Sequence, residues 1–264
     1  VWSCGPIIAP FLGGYLESLF AWQANFYFLA IYAGALFIAE LFFSGETIRN
    51  VKKFNLKKTS MLYMVMLKNK AFVFGILILG MAYSTVMVFN IAGPFVVEHH
   101  FGFNAVTTGY CTLILGISWM IGGIISKTFS KQNFSRKLKV SAFTQIILLI
   151  LFVIAAAQLD QLYLLIIFAF LIHIVSGFIF TNYFTQNMIY FPSNAGIAGG
   201  LIGGLLYIIT SIISFLISSS GEIASTFDMS IRYLGVGIPL VLVIFYSTFL
   251  ILKKQQKKAK ITTV

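Results

Sequence analysis

The chain reads as long apolar runs broken by a few polar intervals. The longest polar interval is Ser44–Lys70, which carries Arg49, Lys52, Lys53, Lys57, Lys58, Lys68 and Lys70 against the single acid Glu46. Two apolar segments precede it and six follow it. A helix that spans a bilayer needs roughly 20 apolar residues. Segments of that kind lie at Val1–Leu16, Gln23–Phe43, Ala71–Val97, Ala105–Ser126, Lys139–Ala157, Gln161–Gln186, Gly196–Ser218 and Ile231–Leu252. Periodicity discriminates little here, because a helix in hydrocarbon is apolar all round. Length and charge decide instead, and they predict an all-α, polytopic transmembrane helical bundle. The first segment starts at Val1 inside an apolar run with no basic leader, so it reads as the end of a helix cut short.

Composition agrees. Of 264 residues, 59% are apolar and only 9% charged, with a mean hydropathy of +0.95. Soluble domains are nearer half apolar and a quarter charged. The net charge of +11 needs no nucleic acid to explain it, because the charges are sorted. Positive flanks resist translocation, so basic intervals stay on the cytoplasmic side. With Ser44–Lys70 inside, alternation of the spans puts Lys127, Lys131, Arg136, Lys137 and Lys139 inside, and also Lys253, Lys254, Lys257, Lys258 and Lys260. Arg232 is the one basic residue left over. Glu17, Glu98, Asp160, Glu222 and Asp228 fall outside. The chain therefore divides into residues 1–43, a basic cytoplasmic loop at 44–70, six spans over 71–252 and a basic tail at 253–264. Cys4 and Cys111 both lie in apolar runs, which argues against a disulfide or metal framework.

One local signal is more specific. In the run from Gly5 to Gly14, Pro6 and Pro10 each remove a backbone donor from an apolar helix. Gly5, Ala9 and Gly13 repeat every four residues and strip one face of side chains. The stretch resembles the antiporter motif of the major facilitator superfamily, glycine-x3-glycine-proline-x2-glycine-glycine, found in the fifth helix of drug exporters. Ala9 stands at one of its glycines. Trp22-Gln23-Ala24-Asn25-Phe26 resembles the opening of the sixth helix, with Ala21 in place of a glycine and Gln23 in place of an arginine; Glu46-Thr47-Ile48 resembles its close. Gly93-Pro94-Phe95 followed by Phe101-Gly102-Phe103 resembles the link between the seventh and eighth helices of bicyclomycin-resistance (Bcr/CflA-type) exporters, and Ala195-Gly196-Ile197-Ala198-Gly199 their eleventh helix. The order of these matches identifies the chain with helices five to twelve of that family, residues 1–43 being a remnant of the N-terminal bundle and 71–252 the C-terminal six-helix bundle.

Several residues remain with two readings each. Asn182, Thr185, Gln186 and Asn187 form a polar cluster at helical spacing. Such groups either hydrogen-bond a neighbouring helix or line a wet cavity. Asn182 stands where the family has a proline-asparagine pair, with Thr181 at the proline. Tyr83, Met87 and Asn90 share one face and suit either a broad apolar binding site or interior packing. His173 lies mid-helix, as a structural or a titrating group. Gly196, Gly200 and Gly204, with Gly199 and Gly203, bare two faces of one helix for close packing or for sliding. Glu40 is the one acid well inside a predicted span, either ion-paired with the basic loop or a proton site. His99 and His100 point to different sides, which does not favour a shared metal.

No paired carboxylates, nucleophile–base arrangement or phosphate loop is present, so no covalent chemistry is expected. The resemblance implies proton-driven efflux of small apolar or amphipathic compounds by alternating access, without a cofactor, from the inner membrane of a bacterium. It also implies a monomer when full length, with partners limited to lipid, substrate and protons. An importer or metabolite exporter of the same superfamily is the alternative; a membrane-embedded enzyme or receptor is a second.

Overall fold

The computed structural model describes residues 4–45 and 55–262, with side chains at 9, 11–45 and 55–249. The Glu46-Thr47-Ile48 match, Arg49, Lys52 and Lys53, the side chains of Pro6 and Pro10, and the surroundings of Gly5 lie outside the described residues. The elements are α1 (Cys4–Phe20), α2 (Gln23–Phe43), α3 (Leu56–Lys68), α4 (Lys70–Phe95), α5 (Ala105–Thr128), α6 (Phe134–Ala156), α7 (Leu162–Tyr190), α8 (Ala195–Ser219) and α9 (Thr226–Thr262). Seven of the described helices are long and apolar enough to cross a membrane, and α1 completes the eight expected segments.

The boundaries correct the sequence reading in four places. The basic interval contains α3, begun by Asn55, whose side chain accepts the Lys58 N–H. Helix α6 begins at Phe134, before Lys139, because Asn133 caps it by accepting the Arg136 N–H at 3.1 Å. Helix α7 runs on to Tyr190 and α9 to Thr262. The common cause is that Lys, Arg and Gln end a hydropathic run but are good helix formers. Helix α4 ends in a wider turn over Val96–His100, where the Phe101 N–H reaches back to the Val96 carbonyl at 3.0 Å. It follows Pro94, whose ring displaces the regular ladder.

Helices α4–α9 form the bundle. Helix α7 packs on α4, α5 and α6; α4 also packs on α8 and α9, and α6 on α9. Two cores are stacked along it. One, around Phe89, Leu149, Phe152 and Tyr233, lies toward the end bearing the acidic loops. The other, around Phe72, Leu138, Tyr183 and Ile244, lies toward the basic end. Between membrane helices the hydrophobic effect gives little, so close packing and polar contacts decide. The closest approach is between α5 and α7. A Cβ at Gly122 would strike the Ile174 carbonyl, and one at Gly177 the Trp119 carbonyl. Two glycines thus let the two backbones touch reciprocally. Nearby, the Gln145 amide of α6 donates to the Ser176 hydroxyl of α7 at 3.2 Å, both fully buried.

Helix α1 lies along α5. Gly14 sits on the first turn of α5, where an added Cβ would come within 2.7 Å of the Ala105 carbonyl. One turn of α5 further in, the Tyr15 and Tyr110 hydroxyls meet at 2.5 Å. Helix α2 packs chiefly on α1 and buries none of its residues among those described.

Candidate functional site

Helices α4, α5, α7 and α8 each bring one ring to a common point. Tyr83 of α4 stands edge-on to Trp119 of α5 and to Tyr207 of α8, with ring centres 6.2 Å away in both cases. Phe180 of α7 lies 6.4 Å from Tyr83 and 5.2 Å from Trp119. These separations suit edge-to-face aromatic pairing. The cluster is not sealed. Tyr207 is 51% exposed and Tyr83 and Trp119 are half-buried, so the rings present an open aromatic face. No acid lies among them. Such a face can hold apolar or aromatic molecules by ring contact, and cations over the ring faces.

The sequence-predicted residues divide around this cluster. Met87 and Asn90 continue the face of Tyr83 along α4, Met87 half-buried and Asn90 exposed, with the Asn90 amide 3.9 Å from the Met87 sulfur. Asn182 is buried, and its amide donates to the Phe178 carbonyl one turn back at 2.8 Å. Gln186 is half-buried beside the Tyr190 hydroxyl. Asn187 belongs to a helix contact: it is fully buried against Gly75 of α4 and donates to the Phe72 carbonyl at 3.4 Å. His173 faces α9, inside the core, with its Nε2 3.0 Å from the Tyr233 hydroxyl. The bare faces of α8 are not filled: nothing lies within 4 Å of a Cβ built at Gly196, Gly200, Gly203 or Gly204, and Gly199 meets only the Met188 methyl at 3.6 Å. The close packing expected of them is therefore not made within the described residues. Glu40 is exposed on α2, and the stretch expected to pair with it lies outside the described residues.

Sequence reasoning missed Trp119, Phe180 and Tyr207. In a chain with 28 Phe and 12 Tyr, a ring carries no label of its own. Only the crossing of four helices singles these out. The one available signal was the mid-span placement of Trp119, away from the headgroup level that tryptophan favours.

The profile of the Major Facilitator Superfamily matches residues 1–215. The chain belongs to the major facilitator superfamily. It is thus a member of a family of membrane transporters, in keeping with its helical fold and its multi-pass character. Comparison with curated proteins returns no match.

The acidic end of this superfamily member is tied by polar contacts between loops. Glu98 accepts the Thr108 hydroxyl at 2.9 Å. Asp160, in the loop between α6 and α7, pairs with His100 at 2.7 Å and accepts the Thr226 N–H at the start of α9 at 2.9 Å. Burial works against ionisation of Asp160, but the Thr226 N–H and the His100 imidazole outweigh it and hold its carboxyl below the usual range.

Proposed function

We propose that the chain is part of a multidrug or small-molecule exporter, driven by proton antiport through alternating access, with its basic loops in the cytoplasm. The observation that carries this reading is the open aromatic cluster of Tyr83, Trp119, Phe180 and Tyr207, contributed by four helices. Rings from four separate helices change their spacing whenever those helices shift, so one site is rebuilt by the motion that carries the substrate across. The cluster offers π faces and phenol groups but no fixed charge. It discriminates among ligands weakly and by shape, which suits a range of apolar or amphipathic compounds better than a sugar or an organic acid. The resemblance of Gly5–Gly14 to the antiporter motif supports the direction and the exchange for protons; the end of that run, Gly14, meets the first turn of α5.

The test is a resistance profile. Cells expressing the protein are challenged with several drugs, and protein level is measured in parallel. Tyr83→Ala and Tyr207→Ala are expected to change the rank order of compounds at constant abundance, and an uncoupler of the proton gradient to abolish export. A uniform loss that follows abundance would move these residues to a structural role. Export that survives the uncoupler would reject proton antiport.

A further inference from the structure

The loop between α5 and α6 borders a groove with a volume of about 640 Å³. Pockets of roughly 300–1,000 Å³ hold drug-sized ligands. Helices α5 and α6 make no extensive contact with each other, and α7 forms the floor between them. The chemistry changes along the length of the groove. Arg136 and Lys137 stand at its loop end; beyond them Val140 and Thr144 of α6 form an exposed wall, and Ile174 and Phe178 of α7 the half-buried floor. Val140 is mostly exposed, and so are Phe143 and Ile147 further along the same helix, so the slot runs onto an apolar, membrane-facing surface.

Among the described residues, no acid pairs with the cations at the mouth. No acid occurs between Glu98 and Asp160, whereas Lys127, Lys131, Arg136, Lys137 and Lys139 do. The Lys137 ammonium donates to the Phe129 carbonyl at 3.5 Å and lies 6.0 Å from the centre of the Phe134 ring. That holds it at the rim with donors to spare. Arg136 is exposed and forms no ion pair among the described residues. Two fixed cations over an apolar slot, at the end of a spanning helix, match an amphiphile with a negative head. A soluble anion would leave the slot empty. A zwitterionic lipid would bring its own cation toward Arg136.

We propose that this groove seats an anionic phospholipid of the leaflet at the basic end of the bundle. Its phosphate lies between Arg136 and Lys137, where the guanidinium can make two parallel hydrogen bonds. One acyl chain follows Val140 and Thr144 over Ile174 and Phe178. The site stands apart from the aromatic cluster and does not depend on what the protein transports.

The experiment places the full chain in phosphatidylcholine nanodiscs and measures the protein-bound fraction of spin-labelled phosphatidylglycerol against spin-labelled phosphatidylcholine. A preference for phosphatidylglycerol on the order of tenfold is expected, from two cations at the surface. Arg136→Gln with Lys137→Gln should bring it close to parity. Lys57→Gln with Lys58→Gln, which removes the same charge from the exposed face of α3, should leave it intact. Thr144→Trp, which fills the slot but keeps both cations, should also lower it. Three results would overturn the proposal. One is a preference that survives the Arg136 and Lys137 changes or falls equally with those at Lys57 and Lys58. Another is indifference to Thr144→Trp. The last is displacement of the lipid by millimolar glycerol phosphate, which would mark a site for a soluble anion.

Discussion

Single residues carry the sharpest expectations. Ala21 joins α1 to α2 with φ +107°, a conformation that disfavours every residue with a Cβ. It stands where the resembling pattern has glycine, so its departure from that pattern has a steric cost. Ala21→Gly should stabilise the protein by about 1 kcal/mol, read as a raised thermal midpoint in detergent. Asp160 makes the second case. Its folded-state pKa is depressed, so its contribution to stability is present above the unfolded carboxylate value of about 3.9 and is lost as pH falls through the lower folded value. Its side chain is 44% exposed, and solvent screening keeps the contribution small. Asp160→Asn should flatten the fall in thermal midpoint as pH drops below about 4, while leaving a neutral-pH protein folded.

At the scale of elements, the two glycine sets separate cleanly. Gly122 and Gly177 have carbonyls of the opposing helix where a Cβ would go, whereas Gly200 and Gly204 have open space. Gly177→Ala should cost about 1–3 kcal/mol by overpacking the α5–α7 crossing. Gly200→Ala should be neutral or slightly stabilising, since alanine is the better helix former. Thermal unfolding of both variants measures the difference. The sequence reading singled out only the α8 set. The four-residue repeat in α8 is conspicuous, while Gly177 stands alone and Gly122 is one of a Gly122-Gly123 pair, and both acquire meaning only where their helices cross. The spans themselves were legible, because hydropathy over about 20 residues is set by the bilayer and not by tertiary partners. Their ends were less so. Arg136 and Lys137 extend α6 because Asn133 caps it, and a charge count alone does not register a cap.

For the molecule as a whole, sidedness is the expectation that everything else rests on. With the basic loops in the cytoplasm, His99→Cys should react with an impermeant thiol reagent on intact cells, and Lys131→Cys should react only after permeabilisation. Both positions are exposed, so access and not burial governs the outcome. The native Cys111 is buried, and Cys4 is replaced by serine in both variants so that it adds no background. The superfamily was legible from motif order. The candidate site was half legible: Tyr83, Met87 and Asn90 declare themselves as one polar-edged face of one helix, while Trp119, Phe180 and Tyr207 are ordinary apolar positions until four helices converge. For His173 the sequence left a structural and a titrating role open, and its contact with Tyr233 inside the core favours the structural one.

The backbone contact between α5 and α7 also bears on how the aromatic cluster can move. Two helices riveted at Gly122 and Gly177 cannot slide past one another without driving a carbonyl into a side chain of the facing helix. Trp119 and Phe180, one on each, therefore form a fixed wall. Any change in the width of the cluster has to come from Tyr83 and Tyr207, carried by α4 and α8. Half of the cluster gauges the ligand, and the other half is the surface it is pressed against.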